Sequence, residues 1–300
     1  MERTPVMRSA AFDARCGREV YFKCENLQKG GSFKLRGAMN AVLCLPERGR
    51  GMSVATHSSG NHGTALALAA RAHGLRATVV APRDSARPKL AAIERAGARV
   101  VLCDPGLAAR EAALADLLLS EPAHVVHPFE DPDVIAGQGT AALELLAEFA
   151  DLEVVSVPIG GGGLIGGTAI AVKEITPGCR VIGAEPEQAD DASRSFRTGT
   201  RVGITAPKTI ADGLRGSIGA LNFILLQRLV DDVVTVSERD IIAAMRIVLQ
   251  DLKLLIEPSS AVPVAALLAG AFGSARRIGI VLSGGNVDLE ACPFLRGDAR

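Results

Sequence analysis

The chain has 300 residues, 48% of them hydrophobic and 22% charged, a balance of globular proteins that excludes a disordered chain. Lys and Arg total 33 against 33 Asp and Glu, with one Tyr and no Trp, so neither general charge nor stacking rings favour nucleic acid or a membrane surface as partner. Six scattered cysteines, Cys16, Cys24, Cys44, Cys103, Cys179 and Cys292, show no C-x-x-C spacing and predict reduced, mostly buried thiols in a cytoplasmic setting.

The opening Met1-Glu2-Arg3-Thr4-Pro5 has no apolar core of a signal peptide. From Ser53 onward, short β-branched runs alternate with Ala/Leu-rich stretches of helical spacing, the pattern of parallel strands joined by crossover helices, and so an α/β fold. Strands are expected at 76–81, 99–103 and 124–127, and helices at 88–96, 107–119 and 134–150. An unbroken apolar run at 154–159 predicts a strand buried on both faces, followed by a helix over 168–175. A strand at 233–236 leads to a helix at 241–251 with Ser237 as its cap, and a strand at 277–282 closes the sheet. Two uncharged stretches, 154–172 and 258–275, are interrupted by Pro and Gly and are not read as membrane spans.

Between the expected strand and helix stands Gly160-Gly161-Gly162-Gly163-Leu164-Ile165-Gly166-Gly167. Bare backbone N–H groups at a helix N-terminus suit a phosphate, and the spacing matches neither a dinucleotide fingerprint nor a P-loop. A tightly packed turn is the alternative reading, because glycine also permits close approach of helix and strand.

Three further loops fall at expected strand ends, where open α/β sheets bind ligands. They are Glu25 to Ala38 with its Ser32-Phe33-Lys34-Leu35-Arg36-Gly37-Ala38 run, Thr56-His57-Ser58-Ser59-Gly60-Asn61-His62-Gly63, and Ser283-Gly284-Gly285-Asn286. In this order the four motifs resemble those of the fold-type II pyridoxal-phosphate enzymes, specifically the serine/threonine dehydratase and serine racemase group. The resemblance runs from Arg3-Thr4-Pro5 to Asn286-Val287-Asp288. It implies two open parallel-sheet α/β domains of tryptophan-synthase β-like fold: a larger one, 1–52 with 129–300, and a smaller mobile one, 53–128, that closes over substrate.

The resemblance implies pyridoxal 5′-phosphate as cofactor, attached through Lys34, which also serves as base at the substrate α-carbon. Phe33 then packs on a ring face and Asn61 donates to the ring oxygen. Gly160, Gly161, Gly162, Gly163 and Leu164 hold the phosphate, while Ser283, with Gly284 and Glu257, lies at the pyridine nitrogen. A neutral serine there, rather than an Asp, favours elimination or racemisation over transamination. Ser58, Ser59, Asn61 and His62 match the group around the substrate carboxylate, Ser59 being the second acid/base of the racemases. Arg110 matches an arginine that some racemases and hydroxyaspartate dehydratases bring over the carboxylate side.

Glu185, the Ala189 carbonyl and Asp191 resemble a divalent-cation site, and such oxygen ligands suit Mg2+ or Mn2+. The implied protein is a homodimer acting on a small amino-acid substrate. Its activity is that of an ammonia-lyase on L-serine, L-threonine or 3-hydroxyaspartate, with racemase activity as alternative or companion. A β-replacement synthase and a silent cofactor-binding protein are further alternatives. The chain departs from the group in the short stretch before Arg3-Thr4-Pro5, which bears on dimer contacts, and at Ser260, where a glycine is usual. With the sequence ending at Arg300, isoleucine feedback of the biosynthetic threonine dehydratases is expected to be absent.

Overall fold

The structure, a computed structural model, describes residues 1–45, 53–58 and 60–294. The first half comprises β1 (Val6–Met7), α1 (Ala10–Cys16), β2 (Glu19–Cys24), α2 (Lys34–Leu43), β3 (Ser53–His57), α3 (Asn61–Ala72), β4 (Ala77–Pro82), α4 (Arg87–Ala96), β5 (Arg99–Cys103), α5 (Leu107–Ser120) and β6 (Ala123–Val125). There follow α6 (Pro132–Glu148), β7 (Val154–Pro158), α7 (Gly163–Ile175), β8 (Arg180–Pro186), α8 (Asp191–Thr198), α9 (Ala220–Leu229), β9 (Asp232–Val236), α10 (Glu238–Leu252), α11 (Pro258–Leu268) and β10 (Arg277–Leu282).

The chain forms two compact units. One comprises Lys34–Gly137 with Met1, the other Glu2–Phe33 with Gln138–Arg300, so the divisions fall between Phe33 and Lys34 and inside α6. The smaller unit is longer at both ends than the stretch 53–128 read from the sequence. Its first helix is the reason: Leu35, Ala38, Ala41 and Val42 of α2 share a core with Leu66 and Ala70 of α3, and Val134 of α6 joins them. The edge read at residue 52 lies outside the described residues.

The smaller unit holds a four-stranded parallel sheet in the order β5-β4-β3-β6. Alternate residues face opposite ways, as period two demands. Val54 and Val79 pack under α2, α3 and α4, while Ala55, Val80 and Cys103 meet Leu114 of α5.

The larger unit holds six strands in the order β1-β2-β10-β7-β8-β9, parallel except for the two-residue β1. Phe22, Val154, Ile182 and Ile280 face α10 and α11, whereas Tyr21, Val155, Val181 and Val281 face α7 and the second part of α6. Both faces are covered, which accounts for strands that read as continuous apolar runs. Ser237 caps α10 by accepting from the Asp240 N–H, as its sequence suggested, although the helix begins at Glu238.

Among the described residues no helix is long and apolar enough to cross a membrane. The uncharged stretch from Val154 resolves into β7, a turn and α7, and that from Pro258 into the eleven-residue buried helix α11. All six cysteines are unpaired thiols; Cys24, Cys103, Cys179 and Cys292 are buried and Cys44 is exposed.

Candidate active-site elements

In the smaller unit the sheet ends at an amine and three imidazoles. Lys34 opens α2 half-buried, and its Nζ donates to the Pro128 carbonyl at 2.8 Å. Pro128 follows His127, just beyond β6. His57 closes β3, and its ring meets that of His127 edge-on at 5.6 Å. Burial, the Arg110 charge and His127 push His57 down to about 4. His127 is lowered too, chiefly by burial, and its Nδ1 accepts from the Glu130 N–H at 2.9 Å. Arg110, on α5, bonds through Nε to the Gly106 carbonyl and stands near enough to His57 to be felt by it.

Ser58 leaves β3 with its N–H on the Val80 carbonyl, and its Oγ accepts from the Gly60 N–H. Asn61 is the first residue of α3, whose N-terminus carries no side-chain cap among the described residues. Such a helix start, with N–H groups unused inside the helix, accommodates a carboxylate. Ser59 lies outside the described residues.

His62, matched by resemblance to the group around the substrate carboxylate, is the second residue of α3. It is buried, and its Nε2 lies 3.1 Å from the Val126 carbonyl. A carbonyl only accepts, so Nε2 carries the proton, and burial with the nearby Lys34 pushes His62 down to about 3. The ring braces α3 against the chain after β6.

In the larger unit the glycine run combines tight packing with an uncapped helix start. The helix begins at Gly163 rather than 168, because Gly166 and Gly167 sit inside α7 and allow close packing: a Cβ on Gly139 of α6 would lie 2.6 Å from the Gly167 carbonyl. Ahead of it, Gly162 turns the chain at φ +91, and no side chain caps α7 among the described residues. The N–H groups at Gly163 and Leu164 thus belong to an uncapped thirteen-residue helix whose positive end suits an oxyanion. The run is backed by protein: the Asn222 side chain donates to the Gly161 carbonyl, and a Cβ on Gly160 would meet Gly213 O at 3.0 Å.

From Gly213 the site continues to Ser283. The Gly213 N–H donates to Ser259 Oγ, next to Ser260, and Ser260 Oγ lies 3.1 Å from Ser283 Oγ, both hydroxyls buried. The Phe33 N–H donates to the Ser283 carbonyl and the Gly285 N–H to the Gly31 carbonyl, so the residues before Lys34 pair with the end of β10 like a strand. Glu257 caps this end from α11: its N–H bonds the Gly284 carbonyl, and its carboxylate accepts from the Asn286 N–H. Gly284 lets the Glu257 carboxylate approach closely, since a Cβ would lie 2.8 Å from Glu257 Oε1 and that carboxylate would have to move. The larger unit offers an uncapped helix end and a buried neutral hydroxyl, and the smaller unit a half-buried lysine, groups whose chemistry suits the phosphate, the ring nitrogen and the aldehyde of pyridoxal phosphate.

Glu185 and Asp191 are both buried, on β8 and at the start of α8, with Ala189 buried in the turn between them. Glu185 accepts from the N–H groups of Ala192 and Ser193, and Asp191 Oδ2 from that of Ile218. Asp191 Oδ1 is buried with no partner among the described residues. Burial first, then the Asp191 charge, raises the Glu185 carboxyl well above its usual range, and burial raises Asp191 to about 6. Among the described residues no group of three or more His, Cys, Asp or Glu side chains is set for a metal, so the expected cation rests on two carboxylates and a carbonyl.

The sequence reading did not single out His57 or His127, whose only signal was a histidine at each of two strand ends, nor Asn222 and Gly213 behind the glycine run. A model of the family described as pyridoxal-phosphate dependent enzymes matches residues 1–284. The chain is 45% identical to a serine racemase of Arabidopsis thaliana, over 96% of this chain and 89% of that one. It is 42% identical to a beta-hydroxyaspartate dehydratase of Paracoccus denitrificans, over 98% and 94%. The solved structure of maize serine racemase superposes with a TM-score of 0.94 at 40% identity, covering 96% of this chain and 90% of that one. Motifs, fold and relatives agree, and the chain belongs to the pyridoxal-phosphate dependent enzyme family.

Proposed function

We propose that the protein is an ammonia-lyase for 3-hydroxy amino acids, taking L-serine, L-threonine or 3-hydroxyaspartate to a 2-oxo acid and ammonia. The observation that carries this reading is Lys34, half-buried at the start of α2 with its amine on a backbone carbonyl, in a chain 42% identical to a hydroxyaspartate dehydratase. Pyridoxal 5′-phosphate, when bound, supplies the electron sink for the pair left at the α-carbon.

The chain's own residues supply the rest. Lys34 would hold the cofactor covalently and, once freed by substrate, take the α-proton at Nζ; the β-hydroxyl would leave as water with one proton, so that H and OH are lost overall, and hydrolysis of the product enamine would release ammonia. The N–H groups of Gly160, Gly161, Gly162, Gly163 and Leu164 bind the phosphate, and Phe33 packs on the ring. Ser283 meets the ring nitrogen with a neutral hydroxyl, with Gly284 and Glu257 as its wall. Ser58, Asn61 and the first N–H groups of α3 orient the substrate carboxylate, and Arg110 serves the same side.

A second activity at the same site is racemisation, supported by 45% identity to a serine racemase. Ser59 then holds the proton returned to the opposite face. Holoenzyme supplied with each substrate, assayed for 2-oxo acid and, with L-serine, for D-serine, tests both. Lyase turnover is expected from at least one substrate, and Ser59→Ala should reduce racemisation far more than elimination. Absence of both products from all of them overturns the reading.

The same proposal includes Mg2+ or Mn2+ at Glu185, Asp191 and the Ala189 carbonyl, supported by the unpartnered Asp191 Oδ1 beside a second buried carboxylate. Chelator should lower activity and Tm, added Mg2+ should restore both, and Asp191→Ala should abolish the response. It also includes a homodimer, tested by light scattering, and a cytoplasmic setting, supported by six unpaired thiols.

A further inference from the structure

The chain between β6 and α6 turns on one imidazole. His127 Nδ1 accepts from two backbone N–H groups, those of Phe129 at 3.3 Å and Glu130 at 2.9 Å. A backbone N–H can only donate, so Nδ1 is bare and the neutral ring carries its proton on Nε2. Burial above all holds His127 below the ordinary imidazole range, which keeps Nδ1 an acceptor near neutral pH. The Phe129 ring lies edge-on to it at 4.7 Å and the His57 ring at 5.6 Å, so the imidazole is also fixed by packing.

The Phe129 N–H belongs to the same peptide unit as the Pro128 carbonyl. No cis peptide bond occurs among the described residues, so this unit is trans and planar, and its N–H and C=O point opposite ways. One end is held by His127 Nδ1, and the other receives the Lys34 amine at 2.8 Å. The proline ring fixes φ at Pro128, so the rotation about ψ that aims the carbonyl is the one the imidazole sets. His127, Pro128 and Lys34 all lie in the smaller unit.

We propose that His127 is a positioning residue for Lys34: its Nδ1 sets the peptide plane whose carbonyl holds the amine at the start of α2. This rests on the reading that the cofactor attaches through Lys34. Lysine carries its amine on a flexible four-carbon stem, and an acceptor fixed in space selects one placement of Nζ before the cofactor arrives. The imidazole acts as an asparagine does in an Asx turn, taking N–H groups just ahead of it in the chain. Asp131 does the same at the start of α6, where its Oδ1 accepts from the N–H groups of Asp133 at 2.8 Å and Val134 at 3.2 Å.

The test is the rate at which the full-length apoenzyme, mixed with pyridoxal phosphate, gains the visible band of covalently attached cofactor. His127→Phe keeps an aromatic ring but has no acceptor, and should slow the band about 10–100-fold. His127→Asn offers an acceptor to the same two N–H groups and should recover most of the rate. An unchanged rate in His127→Phe overturns the inference. Equal slowing in both variants overturns it as well, because asparagine restores the turn but not a contact made by the ring itself. Long-range 1H–15N NMR of the unsubstituted apoenzyme covers a variant that fails to fold: His127 is expected as the Nε2–H tautomer, and an Nδ1–H ring overturns the inference without any substitution. Lys34→Ala separates the underlying reading, since it should give no such band, and a band formed there at the normal rate would put the attachment elsewhere.

Discussion

The two units finish their parallel sheets in different chemistry. Beyond β3 and β6 the smaller unit gathers ionisable side chains: Lys34 on the Pro128 carbonyl, the His57 and His127 rings in contact, His62 on the Val126 carbonyl and Arg110 nearby. Beyond β7 and β10 the larger unit offers backbone N–H groups at Gly163 and Leu164 and the hydroxyls of Ser260 and Ser283. Groups of the first kind change charge with pH, and groups of the second depend on shape. Proton chemistry should therefore fail by titration or amine loss in one unit, and cofactor retention should fail by backbone distortion in the other.

A lysine in each unit sharpens this contrast most. Lys34→Ala should lower turnover by at least about 10²–10⁴-fold and remove covalent cofactor attachment, while changing stability by about 1 kcal/mol or less. Lys23, on β2, is wholly buried, with Nζ at 2.6 Å from both the Thr4 carbonyl and Glu144. Lys23→Ala deprives the partly buried Glu144 of its cation and should cost about 3–5 kcal/mol in chemical denaturation. A Lys23→Ala protein of normal stability but without activity would break the comparison, since it would put proton chemistry in the larger unit.

The imidazoles predict an acid limb. His57 is held at about 4 in the folded chain, against an unfolded value near 6.5. The unfolded state therefore binds the proton first as pH falls, so folding stability is complete above about 6.5 and is lost on the way down to about 4. For His57 alone this amounts to on the order of 3 kcal/mol. Arg110 on α5 and His127 after β6 are the charged or titratable groups that act on it, and both oppose protonation. His57→Gln should flatten the limb in a denaturation series across this range, whatever its effect on absolute stability. An unchanged slope would show that His57 is not held neutral.

Much of this was legible in the sequence, and the reasons differ by region. Alternation of apolar runs and helical spacing marked β4 to β7, and the cap at Ser237 marked α10, because each rests on local pattern. The start of α7 was misread at 168, since glycines argue against a helix locally, and here Gly166 and Gly167 are retained for packing against Gly139. The elements β2, β8, α8 and α9 were not assigned. The register of the two strands is set by pairing across the sheet, such as Ile280 with Phe22. Among the candidate residues, Lys34 and Ser283 could be proposed from the sequence because short loop motifs carry them. The direction of the His62 ring depends on Val126, 64 residues away, and the wall at Asn222 on a neighbour 61 residues from Gly161.

The smallest expected effect separates a glycine needed for its conformation from one needed also for its neighbours. Gly17 ends α1 at φ +67 with nothing within 4 Å of where a Cβ would stand. Gly162 turns at φ +91, and its Cβ would lie 2.6 Å from Asn222 Cβ, too near the backbone of α9 to swing aside. Gly17→Ala should cost about 1 kcal/mol, the strain of a left-handed residue alone. Gly162→Ala should cost about 1–3 kcal/mol, because it must also displace Asn222 from its 2.8 Å bond to the Gly161 carbonyl. Only the second reaches the proposed phosphate site, so equilibrium dialysis should show weaker pyridoxal phosphate binding for Gly162→Ala and none of that change for Gly17→Ala. Equal binding by the two variants would mean that the turn before α7 serves the packing of α9 and not the cofactor, and the shape-dependent half of the comparison would fall with it.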